Sequence, residues 1–327
     1  MDVFMTGANG FVGLNIVAAL KEAGHRVTAF VRPESKVTYL EPFGVKLVRG
    51  ELGNPAQVAQ AMQGAEAVIH TAGNTSCYLR DLPVLKAVNV VGTQNIVAAA
   101  ITNQVKRIVY TSTTSTIGAS NGKHCANEAT PLRGFRARSP YGITKILAEQ
   151  AVLSAQAQGV ECVILNPAEV VGAYDHSMQW GRMVLAVNFN KVPFVPPGGG
   201  SFCSATAVGR AHVSALTLGK SGERYILGGE DSSFAHFLNL AAKVLGKTFE
   251  APGTRYPWIY LKALLQEKLA PLVPGKPIVE PYRIRVFGGA YYFDSSKAQQ
   301  ALDYRSDPLE QMLRDCTDWY QRHGFMH

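Results

Sequence analysis

The opening of this 327-residue chain limits its fold more than any other stretch, because Asp2-Val3-Phe4-Met5 runs straight into Thr6-Gly7-Ala8-Asn9-Gly10-Phe11-Val12-Gly13. A short apolar run, three glycines at three-residue spacing and then Phe11, Leu14, Val17 and Leu20 on one helical face describe a strand, a tight turn and a core-facing helix. Gly7 suits the turn, Gly10 a close approach of backbone to a pyrophosphate, and Gly13 the packing of helix on strand. The helix start offers N–H groups and the positive end of its dipole to phosphate. A glycine triplet by itself is as well explained by an unliganded turn. The strand before it and the helix after it favour a dinucleotide, held by Gly7, Asn9, Gly10, Phe11, Val12 and Gly13.

The chain continues with alternating short strands and longer helices, which predicts an α/β fold: a doubly wound parallel Rossmann sheet with a smaller mixed α/β substrate lobe behind it. Strands are expected at Asp2–Met5, Val27–Val31, Val45–Val48, Ala67–His70, Arg107–Thr111 and Val160–Leu165, and helices at Phe11–Ala23, Pro55–Met62, Val84–Thr102 and Pro140–Gln158. Beyond Leu165 the pattern loosens. His176–Asn190, Ala207–Leu218, Ser233–Leu245, Tyr256–Leu269, Ser296–Leu302 and Pro308–His323 read as helices, Pro193–Gly200 as a loop, and Arg224–Leu227 and Tyr291–Phe293 as strands. Residues 1–167, with 203–228 returning to them, form the expected cofactor domain, and 168–327 the substrate lobe.

Composition excludes several classes. Five cysteines at 77, 125, 162, 203 and 316 show no CxxC and no Cys/His cluster, so neither a metal site nor a disulfide framework is expected, and a reducing cytoplasm fits. Asp2–Met5 already reads as a strand, which speaks against a signal peptide, and no apolar run of membrane-spanning length lacks a charge or a proline. The net charge of +8 is spread along the chain. Its loosest grouping, Arg255, Lys262, Lys268, Lys276, Arg283 and Arg285, lacks the dense stripe and aromatic platforms of a nucleic-acid surface and reads as solvated exterior.

Two positions sharpen the chemistry. The second strand ends Phe30-Val31-Arg32-Pro33, where NAD-preferring folds place an acid on the adenosine ribose. Arg32, with Lys36 nearby, suits a 2′-phosphate instead, which favours NADP(H) over NAD(H). Tyr141-Gly142-Ile143-Thr144-Lys145 then sets a phenol and an ammonium on one helix face. Tyrosine is a weak acid–base group at neutral pH, and an adjacent ammonium is expected to lower its pKa. Such a pair is common by chance; its place after the fifth strand raises it.

Those motifs, with His70-Thr71-Ala72-Gly73, Asn89–Thr93, Tyr110–Thr113 and Asn166-Pro167-Ala168-Glu169-Val170, make the chain resemble an extended short-chain dehydrogenase/reductase over essentially its whole length. Pro196–Gly200 and Gly222–Gly229 are similar to the bacterial branch of dihydroflavonol 4-reductase-like and hopanoid-associated sugar epimerase-like proteins. The resemblance implies that Tyr141 exchanges the substrate proton while hydride passes to or from nicotinamide, and that Lys145 holds the nicotinamide ribose. It also implies a third active-site hydroxyl, at Thr113 or, failing that, Ser112. Thr71, Ala72, Pro167 and Val170 are expected against the cofactor, and Asn89 as a brace. Relatives often form homodimers through the helices at Val84–Thr102 and Pro140–Gln158. Three departures stand out: Gly50-Glu51-Leu52 where an adenine-side aspartate is usual, Thr113 for serine, and Thr206-Ala207 where acids are common, with Thr206 expected to cap a helix. Glu51 and Leu52 are therefore candidate adenine contacts.

The scattered histidines, His70, His124, His176 and His212, read as structural, and Tyr256–Leu261 as lobe packing that could otherwise line a pocket or rest on a membrane surface. Three activities remain open: a carbonyl reductase acting on a small-molecule substrate, a sugar-nucleotide epimerase or dehydratase with the same triad, and a non-catalytic NADP-binding redox sensor. Retention of both Tyr141 and Lys145 counts against the sensor.

Overall fold

The computed structural model describes residues 1–119, 124–253, 256–269 and 281–326, with Glu267 and Lys268 as backbone only. Arg255, Lys276 and the side chain of Lys268 from the basic grouping lie outside it. Seven parallel strands form the main sheet: β1 (Asp2–Thr6), β2 (Arg26–Val31), β3 (Lys46–Arg49), β4 (Ala67–His70), β5 (Arg107–Thr111), β6 (Glu161–Pro167) and β9 (Arg224–Leu227). Their order is β3-β2-β1-β4-β5-β6-β9. The winding reverses between β1 and β4, so the carboxyl ends of these two strands flank the crevice where doubly wound sheets bind ligands.

Successive strand residues point to opposite faces, and the two cores divide accordingly. Val3, Met5, Val109 and Leu165 pack under α1 (Phe11–Glu22) and α7 (Ala205–Ser214). Phe4, Val68, Ile108 and Ile164 pack under α2 (Pro55–Ala61), α4 (Gly92–Thr102) and α5 (Pro140–Ser154). α3 (Leu82–Leu85) passes through a π turn, Lys86–Val91, into α4. The combined helix Leu79–Thr102, 24 residues of hydropathy 1.4, is long and apolar enough to cross a membrane by composition alone. Here Asn89 and Thr93 carry its polar atoms inward to Thr144 and His70.

The lobe is built on β7 (Glu169–Val171), β8 (Gly199–Ser204), β10 (Glu230–Ser233) and β11 (Ala290–Tyr291), which join in a second sheet around β8. α6 (Gly181–Asn188), α8 (Phe234–Val244), α9 (Tyr256–Leu269), α10 (Pro281–Phe287), α11 (Ser296–Leu302) and α12 (Leu309–Arg322) complete the fold. Phe202, Phe237, Trp319 and Tyr320 fill the lobe's core.

Several expectations shift. The stretch expected to be helical from His176 becomes helix only at Gly181, because both Asp175 carboxylate oxygens accept backbone N–H groups, from Gln179 at 2.8 Å and Gly181 at 2.9 Å, and hold a turn. Gly199 and Gly200 belong to β8 and not to a loop. Thr206 lies inside α7; the cap is Ser204, whose hydroxyl accepts from the Ala207 N–H at 3.3 Å.

Candidate active site

The glycine turn adopts the geometry its residues demand. Gly7 sits at φ 71, and a β-carbon there would lie 2.6 Å from the Ala72 nitrogen. One on Gly13 would lie 1.9 Å from the Gly7 carbonyl oxygen. β1, the β4 exit and the first turn of α1 therefore approach at a distance only glycine permits. Gly10 is the N-cap and no side chain caps the helix, so the first-turn N–H groups of Phe11, Val12 and Gly13 are left for an anion. The side chain of Phe11 is buried in the core, so this residue offers its backbone only. Asn9 donates to the Lys36 carbonyl at 3.3 Å and its own carbonyl oxygen lies 3.0 Å from His176 Nε2, which ties the loop to the β2 exit and to the lobe. This arrangement fits a dinucleotide pyrophosphate.

Around that turn the remaining cofactor candidates fall at the ends of β2, β3, β4 and β6 and on β7. Arg32 is exposed at the end of β2, its Nε 3.4 Å from Glu34. Arg49 reaches the same corner, donating to the Pro33 carbonyl at 2.6 Å, a cation that the search for a single strand-end residue overlooks. Glu51 stays exposed after β3, while Leu52 packs partly against the α4 side of the core and its carbonyl accepts from Asn95 at 2.7 Å. At the β4 exit the Thr71 hydroxyl pairs with Thr111 at 2.8 Å, and the Ala72 N–H donates to Thr6 at 3.2 Å. Pro167 ends β6 opposite Leu227, and Val170 lies on β7 opposite Cys203.

Tyr141 and Lys145 occupy the first turns of α5, which begins at Pro140 and is capped by Ser139 accepting from the Gly142 N–H at 3.1 Å. Burial pushes the Tyr141 phenol well above the usual tyrosine range; Cys77 and Glu169 push the same way, while Thr113 and Arg283 oppose them. Lys145 is not among the groups that move it, so the expected lowering of the phenol is corrected. The lysine Nζ donates instead to the Thr111 carbonyl at 2.7 Å and lies 4.1 Å from the centre of the Tyr110 ring. Its own burial, offset in part by Glu149, pushes its pKa down to about 7.

The two adjacent hydroxyls separate cleanly. Ser112 is 6% exposed and donates to Glu149 Oε1, which spends it inside the protein. Thr113 lies beside the Tyr141 phenol and caps the following turn by accepting from the Ser115 N–H at 3.1 Å. Sequence reasoning misses Glu149, although it follows Lys145 at helical spacing. Beneath the site it also accepts from Thr116 at 2.9 Å and Asn166 at 3.0 Å and pairs with Arg224 at 3.3 Å. Asn89, on the π turn, donates to the Thr144 hydroxyl at 3.0 Å and so ties that helix to α5. Such π turns concentrate at functional sites.

Glu169 and Arg283 of the lobe, and Cys77 of the segment after β4, act on the phenol. Glu169 accepts from Trp180 Nε1 at 2.6 Å, and burial raises its pKa. Arg136, 7% exposed, lies 4.4 Å over the Tyr291 ring. His70 and His212 are fully buried bridges: His70 spans Thr6 and Thr93 at 2.6 and 2.9 Å, and burial takes its pKa down to about 3. Among the described residues no group of three or more His, Cys, Asp or Glu side chains is placed to hold a metal.

A parallel sheet with a glycine turn at its switch point and a polar constellation beside it defines a nicotinamide-dinucleotide enzyme of the Rossmann class. Residues 3–228 match the NAD dependent epimerase/dehydratase family, and the chain belongs to that family. A Synechocystis protein provisionally named a dihydroflavonol 4-reductase is 32% identical over 99% of this chain and 95% of its own length. Sterol demethylase protein B of Methylococcus capsulatus is 28% identical over 100% of both chains. Among solved structures, the crystal structure of gox2253 superposes with a TM-score of 0.85 at 29% identity, covering 99% of each chain. The UDP-glucose 4-epimerase of Thermotoga maritima shares the fold, with a TM-score of 0.81 at 19% identity over 99% of each chain. The chain is an NAD(P)-dependent enzyme, and oxidoreductase chemistry follows from its family.

Proposed function

We propose that the chain is an NADP(H)-dependent reductase that interconverts a carbonyl and an alcohol on a small molecule, with Tyr141 as general acid and base. The observation that carries this reading is Tyr141 in the first turn of α5 beside Thr113, a half-buried phenol whose surroundings favour its neutral form. A protonated phenol is what reduction needs: it gives its proton to the substrate oxygen as negative charge develops there. When bound, the nicotinamide supplies or accepts the hydride. Thr113 holds the same substrate oxygen, Lys145 holds the nicotinamide ribose, and Ser112 serves Glu149. Residues 1–167, joined by 203–228, act as the cofactor unit, and 168–327 as the substrate lobe. The reductase names of relatives across the full chain favour this over epimerisation, since the solved UDP-glucose 4-epimerase shares only the fold.

A positioned general acid contributes about a hundred- to ten-thousandfold. Tyr141→Phe therefore lowers kcat by about that range while leaving NADPH affinity within about twofold, read by fluorescence titration; retained turnover on every ketone tested removes Tyr141 from this role. The preference for NADP rests on Arg32 with Arg49 nearby. The Arg32–Glu34 contact is exposed on both sides and is cheap to exchange for a phosphate. Arg32→Ala is expected to weaken NADPH by about tenfold or more and leave NADH nearly unchanged. Tighter NADH than NADPH in the parent chain overturns the preference.

A further inference from the structure

The segment between β7 and α6 bends back onto the glycine turn, and the bend is not one its residues prefer. Tyr174 sits at φ 70, left-handed backbone that is costly for a bulky side chain. Such a conformation persists where the surroundings impose it, and it gathers at functional sites. Asn15 of α1, 4% exposed, donates to the Ala173 carbonyl at 3.0 Å. Tyr320 of α12 donates to the Asp175 carbonyl at 2.8 Å, and the His176 N–H closes on the Tyr174 carbonyl at 2.7 Å. Contacts from both sides thus hold the bend.

What the bend delivers is one side chain. His176 Nε2 lies 3.0 Å from the Asn9 carbonyl oxygen, in the middle of the glycine turn. A carbonyl can only accept, so Nε2 carries the proton and donates. The ring packs on Tyr39, 5.3 Å away, and Tyr39 in turn meets Trp319 and His323 edge-on at 5.1 and 5.4 Å. The nitrogen of the same peptide is also engaged, since the Gly10 N–H donates to the Gly7 carbonyl at 3.0 Å. The Asn9–Gly10 peptide is therefore pinned at both ends, its oxygen by a residue of the lobe. Asn9, residues 36–40 and His176 line a cleft of about 290 Å³. It lies between the glycine turn and the exit of β2, along the path from a dinucleotide's pyrophosphate to its adenosine ribose.

We propose that His176 is a positioning residue for the dinucleotide: its Nε2–H keeps the Asn9 carbonyl on the lobe side of the turn, so that the N–H groups of Phe11, Val12 and Gly13 meet the pyrophosphate without an opposing oxygen. Backbone N–H groups set their positive ends against a phosphate, whereas a carbonyl turned the same way sets its negative end against it. Without the histidine, the Asn9–Gly10 peptide keeps only its bond to Gly7, and its oxygen is released. The lobe thereby completes a phosphate site whose donors all lie on the opening turn of the chain, and cofactor affinity depends on it. This rests on the dinucleotide turn of the family, and neither on the reductase reading nor on the preference for NADP.

The test is a binding titration of the full chain, with no turnover required, so its outcome is separate from that of Tyr141→Phe. The ligands are NADPH or NADH, whichever the parent binds more tightly, read by cofactor fluorescence, and ADP, read by displacement. His176→Phe keeps a ring against Tyr39 and removes the donor; it is expected to weaken both ligands alike by about tenfold at the parent's Tm. His176→Gln gives up the ring and restores an N–H donor; it is expected to bind ADP within about threefold of the parent. A residue that merely packs would give the reverse order, with phenylalanine tolerated and glutamine not. NMR of the parent with labelled histidine is expected to show His176 as the Nε2–H tautomer, its signal assigned by its absence from His176→Gln. A phenylalanine variant with parental affinity for ADP, or a glutamine variant no better than phenylalanine, overturns the proposal. So does the Nδ1–H tautomer in the parent, however the variants fold.

Discussion

Lys145 shows what burying an ammonium in the candidate site costs the fold. It is 3% exposed, its ammonium has the Thr111 carbonyl as acceptor, and burial holds its pKa down to about 7. The unfolded lysine keeps its ordinary value of about 10.4. Above that value both states are neutral and burial of the amine carries no ionisation penalty. As pH falls towards 7 the unfolded chain takes up the proton first, so stability drops through this window and the penalty is complete only below about 7. Lys145→Met removes the titrating group. We expect it to abolish reduction yet raise unfolding free energy by about 1–3 kcal/mol at neutral pH, after loss of one hydrogen bond. The gain should shrink as pH rises to about 9.5, read by urea denaturation at both values. A methionine variant less stable than the parent at pH 7 contradicts the account.

At the level of elements, α5 is organised by Glu149 as much as by the tyrosine and lysine before it. This 5% exposed carboxylate gathers Ser112, Thr116, Asn166 and Arg224, joining the exits of β5 and β6 to the helix and to β9. Removing one member of such a buried cluster strands the rest. Glu149→Ala is expected to cost about 3–5 kcal/mol and to lower kcat without a comparable change in KM, whereas Glu149→Gln recovers part of both. Thermal denaturation and steady-state kinetics check this, and an alanine variant with parental Tm removes the keystone role. The elements legible in the sequence share a cause. Parallel strands buried on both faces read as apolar runs, and α1 shows Phe11, Leu14, Val17 and Leu20 at helical spacing. β7, β8 and β10 are not legible, because Glu-Val-Val, Gly-Gly-Ser-Phe-Cys-Ser and Glu-Asp-Ser-Ser have no strand pattern and pair only through distant partners. The choice between Ser112 and Thr113 is hidden in sequence for the same reason. Neighbours at a strand end look alike until Glu149 claims one of them.

For the whole molecule, the surface left apolar by the folded chain says where a second copy would sit. Val84, Val91, Ile143 and Leu147 are 54%, 45%, 38% and 38% exposed, and the segments that carry them, α3 with the π turn and α5, pack side by side. The helix run Leu79–Thr102 is 44% buried across its apolar window, which leaves part of that apolar run at the surface. We infer a homodimer in which these helices meet their own copies about a two-fold axis, as isologous contacts require. A stable interface of this kind removes about 800 Å² from each partner. Burying carboxylates there is costly, so Val91→Asp with Leu147→Asp should raise the dimer dissociation constant by about a hundredfold or more. Light scattering across a dilution series reads the change, and the cofactor affinity of the separated chains tests whether each glycine turn works alone. Because Tyr141 and Lys145 ride on α5 itself, the monomer is expected to bind NADPH normally but to turn over more slowly, its α5 no longer clamped on the outer side. A parent chain that is monomeric at every concentration rules this assembly out.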